Sequence, residues 1–102
     1  IYLMKRIENM DQNIKAIEDA LKKSLTIEFI QIEDQGHLHK GHKAANEGLM
    51  HLKACIVSDD FLGLNSIKRH QKVYVILAKF LENRLHALSL ETYSVKEYHQ
   101  RD

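Results

Sequence analysis

Histidine is the residue type whose frequency and spacing suggest chemistry in this chain of 102 residues, which contains seven of them. Four of these, His37, His39, His42 and His51, lie between positions 37 and 51. Imidazole is the commonest metal-binding side chain of proteins. A structural zinc site is not favoured, because such sites usually include cysteines at short spacing. The group His37, His39 and His42 could still bind Zn²⁺ or Ni²⁺ opportunistically, and so many histidines in one segment call for an explanation.

The single cysteine, Cys55, excludes an internal disulfide and suits a reducing compartment. It lies in an alternating segment typical of a strand, where an isolated thiol is more often inert packing than a nucleophile. No residue pattern supplies a nucleophile, a base and an oxyanion-binding group together. The sequence therefore predicts a protein that is not an enzyme.

The charge balance gives little support to nucleic-acid binding by the whole chain. Lysine and arginine total 15 against 14 acidic residues, a net charge of +1, whereas phosphate neutralisation usually requires a larger basic excess. One local basic surface is predicted on a single helix; it consists of Lys68, Arg69, Lys72 and Lys79. A solvated helix face is the simpler interpretation of such a group.

The elements that position these residues follow from the apolar spacing. Steps of three and four predict a helix at about residues 12–24, and the stripe continues back through the first ten residues; its members are Leu3, Ile7, Met10, Ile14, Ile17, Leu21 and Leu25. Strands are predicted at 26–33, 49–57 and 87–93, a helix at 66–82 with an Asn65 or Ser66 cap, and a helical turn at 94–100. Residues 34–48 form a loop whose length is typical of functional loops.

This order, α-β-β-α-β, predicts a single α+β domain with one three-stranded sheet and helices on one face. The first two strands are expected to be antiparallel, and the second and third parallel, because a helix connects them. We expect residues 1–10 to be an extension, helical in continuation of the first stripe, and residues 11–102 to be the domain. The mixed charge of the N-terminus and the lack of a long apolar run predict an intracellular protein without a membrane span.

Four blocks of sequence resemble the BolA family in order and spacing. The resemblance covers about residues 12–98 and implies a type II KH-like fold, in agreement with the order of elements. The blocks are 32–39 (IEDQGHLH), 55–63 (CIVSDDFLG), 68–74 (KRHQKVY) and 85–90 (LHALSL).

The resemblance implies a partnership with a monothiol glutaredoxin in iron–sulphur cluster assembly, trafficking or iron signalling, in the cytoplasm of a bacterium or in an organelle of bacterial descent. It implies that His86 and a loop histidine are ligands of a [2Fe–2S] cluster shared with glutaredoxin and glutathione, and that the isolated protein holds no cofactor. His39 occupies the second ligand position; His37 and His42 are the alternates. His70 is expected to be structural, because it falls on the apolar face of the predicted 66–82 helix together with Ile67, Val73, Tyr74, Leu77, Phe80 and Leu81.

The alternative function is that of a DNA-binding regulator of stress response and morphology, as described for some bacterial members. The basic helix would then contact phosphates, although it could equally meet glutathione or an acidic glutaredoxin surface. A helix-turn-helix would need a helix before residue 58, where the pattern instead predicts a strand. The apo protein is expected to be a monomer or a homodimer.

Overall fold

The computed structural model describes the backbone of residues 2–35, 50–83 and 85–101, together with their side chains from residue 13 onward except those of residues 50, 83 and 86. Its helices are α1 (Tyr2–Ser24), α2 (Ser66–Ile76), α3 (Ala78–Asn83) and α4 (Val95–Gln100). Its strands are β1 (Ile27–Asp34), β2 (Met50–Ser58) and β3 (Leu85–Tyr93). In these ranges no helix is long and apolar enough to cross a membrane.

The three strands form one sheet in the order β1-β2-β3, with β1 and β2 antiparallel and β2 and β3 parallel. The predicted α+β class and strand directions are therefore confirmed. The predicted strand ends are correct to within two residues. Helix α1 runs without a break across the expected boundary between an extension and the domain at residues 10 and 11.

The core lies between one face of the sheet and helices α1 and α2. Alternate β2 residues face it, and the apolar stripe of α1 packs over them, as the 2.0 and 3.6 residue periods require. Each fully buried large side chain contributes about 1.5–3 kcal/mol. The buried hydrophobic residues of this cluster are Ile17, Leu21, Leu25, Leu52, Ala54, Ile56, Phe61, Val73, Leu77 and Leu85.

The segment after β2 connects three parts of the fold. The Ser58 hydroxyl accepts a hydrogen bond from the Asp60 amide at 3.1 Å, and the Asp60 carboxylate accepts one from the Thr26 amide at 2.7 Å. The Asp59 carboxylate accepts a hydrogen bond from the amide of Val95, the first residue of α4, at 3.0 Å. These contacts give the Ser58, Asp59 and Asp60 side chains a structural role, because they satisfy backbone amides at the ends of elements.

Helix α2 differs from the prediction in its length and in its buried face. The predicted 66–82 helix breaks at Leu77, whose ψ is 13°, and no glycine or proline marks the break in the sequence. Ile67 and Tyr74, expected on the apolar face, are 68% and 39% exposed. The helix is rotated about its axis because Arg69 occupies an inward position, with only 12% of its side chain exposed.

Helix α4 lies against the opposite face of the sheet, so not every helix packs on one face. The Tyr98 ring stacks on the Phe29 ring of β1 with a centroid distance of 5.4 Å. A capping box begins the helix: the Glu97 carboxylate accepts from the Ser94 amide at 2.7 Å, and the Ser94 hydroxyl accepts from the Glu97 amide at 3.3 Å. The helix therefore covers part of the sheet face that α1 and α2 leave open.

Candidate functional site

One end of the sheet brings together the histidine-bearing segments. The amide of Gln35, the last described residue before the loop, donates to the His51 carbonyl at 2.7 Å. His51 in turn lies in register with Ala87 of β3, and Met50 with Leu85. The end of β1 and the starts of β2 and β3 therefore share this end, which is also where His86 lies.

His86 is the extra residue of a β-bulge. The β2–β3 register passes from Met50 opposite Leu85 to His51 opposite Ala87, so one residue of β3 has no counterpart on β2. Residues two positions apart on a regular strand point to the same face. Leu85 is buried in the core but Ala87 is exposed, so the bulge reverses the alternation of side chains along β3. Bulges are frequent next to active sites because they redirect a side chain and end regular pairing.

The loop histidines His37, His39 and His42 lie outside the described residues, and their assignment stays a prediction. This loop follows Gln35, whose amide hydrogen bond to the His51 carbonyl lies at the same end of the sheet as His86.

His51 is a further histidine at this end of the sheet that the sequence prediction did not assign to the site. Leu52, Ala54 and Ile56 of the same strand point into the core. His51 therefore lies on the opposite face of β2, with Cys55, and it is half-buried. Only the strand register places it beside Ala87 and next to the bulge. The signal that could have identified it was its membership of the 37–51 histidine group.

Two other candidates are distinguished by their burial. His70 is half-buried on α2, one turn before the fully buried Val73, which favours packing over metal binding. Burial, followed by the negative charge of Glu91, raises the pKa of the Cys55 thiol, so this side chain is not a ready thiolate ligand. Within the described part of the chain, no group of three histidine, cysteine or acidic side chains is arranged to hold a metal ion.

The predicted basic surface separates into two parts. Lys68, Lys72 and Lys79 are exposed. Arg69 instead makes contacts within the domain. Its guanidinium donates to the Leu64 carbonyl at 2.8 Å and to the Glu97 carboxylate at 2.7 Å. Arg69 therefore ties α2 to α4, and Lys68, Lys72 and Lys79 make up the exposed part of the predicted basic surface.

Comparison with known proteins decides the family. The family model described as BolA-like protein matches residues 21–97. The chain belongs to the BolA-like family. Among its BolA relatives are the DNA-binding transcriptional regulators BolA of Escherichia coli and Haemophilus influenzae, which are 35% and 33% identical to it. The aligned regions cover 80% of this chain in both cases, and 75% and 77% of the two relatives.

The BolA fold is also evident in solved structures. The BolA domain of SufE1 from Arabidopsis thaliana superposes with a TM-score of 0.73 at 35% identity, over 81% of this chain and 92% of that domain. This likeness confirms the expected family and fold. The ligand and partner assignments within the BolA domain stay proposals, because they concern chemistry that a shared fold does not determine.

Proposed function

We propose that this BolA-like protein pairs with a monothiol glutaredoxin and supplies two histidine ligands to a [2Fe–2S] cluster held between the two proteins. His86 is the first ligand, and His39 is the second, with His37 and His42 as alternates. The observation that carries the proposal is the β-bulge at His86, at the same end of the sheet where both anchors of the histidine loop lie. The protein acts as a cluster carrier or sensor rather than as an enzyme.

The donor set fits such a cluster in its chemistry. Neutral imidazoles ligate one iron of Rieske-type clusters while two thiolates ligate the other. The glutaredoxin would contribute one thiolate and glutathione the second, so Cys55 of this chain is not needed. A thiol whose pKa is raised by burial is consistent with that division.

Two properties follow from ligation by histidine. The cluster, when bound, would supply electron storage and transferable iron and sulphide, with a potential raised by the histidines. Imidazole binds metal only when deprotonated, so acidification toward the free histidine pKa of about 6.5 should release this chain from the cluster. A shared cluster would thus be most labile on the side of the BolA-like protein.

Reconstitution of the complex tests the assignment. The chain is mixed with a monothiol glutaredoxin, iron, sulphide and glutathione, and the visible absorption and circular dichroism spectra are recorded. His86→Ala is expected to abolish the spectrum of the mixed complex, and His39→Ala to alter it. His99→Ala is the matched control, since His99 is exposed on α4, and it should leave the spectrum unchanged.

The loop assignment is tested by parallel His37→Ala and His42→Ala variants. If either variant, rather than His39→Ala, alters the spectrum, the second ligand is the histidine it removes. A His86→Ala spectrum identical to that of the unmodified protein would show that the first ligand is assigned incorrectly.

DNA binding is the second candidate function, and the names of the Escherichia coli and Haemophilus influenzae relatives favour it. The exposed Lys68, Lys72 and Lys79 would make the phosphate contacts. A strand and a short 3-10 turn precede α2, so these residues do not form a helix-turn-helix. For duplex DNA, the slope of log affinity against log salt should be about −0.9 per phosphate contact. Absent or salt-insensitive binding at low salt would exclude this function.

A further inference from the structure

Helix α2 exposes an apolar ridge on the side turned away from the core. Ile67 and Val75 are 68% and 76% exposed, with the exposed Gln71 midway between them. A spacing of four residues places the three on one row of the helix surface, about 12 Å long from end to end. We call Ile67, Gln71 and Val75 the α2 ridge.

Folding of the domain does not explain the ridge. Ile67 and Val75 are β-branched, a type that loses side-chain freedom in a helix and is disfavoured there unless packing compensates. On α1, by contrast, Ile17 and Leu21 are at most 1% exposed. Ile67 and Val75 lie on one row of the helix, and Leu62 is 60% exposed in the preceding turn, so this side of the domain offers aliphatic side chains that a partner could cover.

Positive charge flanks the ridge along its length. Lys68 and Lys72 follow Ile67 and Gln71 by one residue each, and both are exposed. Neither is in an ion pair with another described residue, unlike Lys22 with Glu18 and Lys53 with Glu91, whose charged atoms lie 3.0 and 3.3 Å apart. Both ammonium groups are therefore open to an acidic group on a partner.

A hydrogen bond connects α2 to the strand that carries His86. The Tyr74 hydroxyl, beside Val75, donates to the Leu88 carbonyl at 3.3 Å, and Leu88 lies two residues after His86 in β3. The C-terminal end of α2 thus runs alongside the start of β3. A protein that reached His86 could cover Val75 and the adjacent lysines in the same contact.

We propose that the α2 ridge and its flanking lysines dock an acidic, apolar protein surface, and that this surface belongs to the glutaredoxin partner. The inference rests on the proposed function and adds to it an interface that does not depend on the cluster. Protein is favoured over DNA because phosphates would use Lys68 and Lys72 but leave Ile67 and Val75 without apolar contact. An interface core of aliphatic residues with a charged rim is the usual arrangement between proteins.

The experiment measures binding of the cluster-free chain to a cluster-free monothiol glutaredoxin by isothermal titration calorimetry. Ile67→Gln/Val75→Gln removes the apolar ridge without adding charge and should weaken binding at least about tenfold. Lys68→Glu/Lys72→Glu should weaken it further and reduce its salt dependence. Lys15→Glu, at an exposed position on α1, should bind like the unmodified chain; thermal melts of every variant should show an intact fold.

The outcomes separate docking from cluster ligation. Unchanged affinity of Ile67→Gln/Val75→Gln would overturn the docking proposal, even with a normal cluster spectrum. Cluster-free binding that depends on the ridge, without a mixed-complex spectrum, would support docking and reject the ligand assignment. No binding in either state rejects both.

Two other occupants are distinguished by the same variants. A homodimer dissolved by Ile67→Gln/Val75→Gln in analytical ultracentrifugation would assign the ridge to a second copy of the chain and overturn the proposal. The proposal would also be overturned if Lys68→Glu/Lys72→Glu abolished binding of a duplex DNA probe while neither double variant affected binding to glutaredoxin.

Discussion

The carboxylate of Glu97 stabilises two contacts that hold α4 on the domain. One oxygen accepts hydrogen bonds from the Arg69 guanidinium and the Ser94 amide, each at 2.7 Å. The hydrogen bond from Arg69, followed by that from the Ser94 backbone, lowers the pKa of Glu97 to about 2. Replacement by glutamine keeps the acceptor oxygen and removes the charge, so Glu97→Gln isolates the electrostatic part of the network.

The expected magnitude follows from the pKa. If the whole decrease of the Glu97 pKa from 4.5 to about 2 contributed to the free energy of unfolding, it would amount to about 3 kcal/mol. Because 49% of the Glu97 side chain is exposed, solvent screening reduces this to about 1 kcal/mol. Since the folded-state pKa is the lower one, the stabilisation is complete above about pH 4.5 and is lost as the pH falls toward 2.

Urea unfolding of the unmodified chain and Glu97→Gln, followed by circular dichroism, tests this value. The variant should be less stable by about 1 kcal/mol at pH 7, with little of that difference left at pH 2.5. Glu18→Gln is the control: it removes the Glu18–Lys22 pair on α1 and should cost at most about 0.5 kcal/mol. A difference for Glu97→Gln that is the same at both pH values would refute the electrostatic explanation.

Three further predictions concern the fold that carries the site. Leu21→Ala should lower the free energy of unfolding by about 2–5 kcal/mol in urea titration, because the Leu21 side chain of α1 is fully buried in the core. A loss below about 1 kcal/mol, on the order of a surface change, would contradict the core assignment. Gly63→Ala should lower the free energy of unfolding by about 1 kcal/mol, because Gly63 has a φ of +79°. The loss is limited to backbone strain, since a Cβ there would meet no atom within 4 Å. Equal stability of the variant would show that the turn relaxes. The Cys55 thiol should react with iodoacetamide at pH 7.5 more slowly than an unstructured cysteine peptide and should gain reactivity in urea, because burial raises its pKa; equal rates in the native state would disprove this.

Alternating and helical periods in the sequence were sufficient to predict the architecture. They predicted three strands and the main helices because each element buries one face, and the burial period of an element is a local property of the chain. Asn65 was one of two residues expected to cap α2, and its side-chain oxygen accepts from the Lys68 amide at 2.9 Å. The family was recognisable from four short blocks, since their side chains recur at fixed spacing.

Tertiary contacts decided what periodicity could not. The rotation of α2, which exposes Ile67, depends on Arg69 reaching Glu97, a residue 28 positions away. The position of His86 in a bulge depends on the register of β3 against β2, and its nearness to the loop anchors depends on β1 pairing with β2. The sequence alone determined which residues could act as ligands, because that depends on side-chain chemistry. Only the folded sheet brought His86, His51 and the loop anchors to one end, because strand register is set by contacts between distant segments.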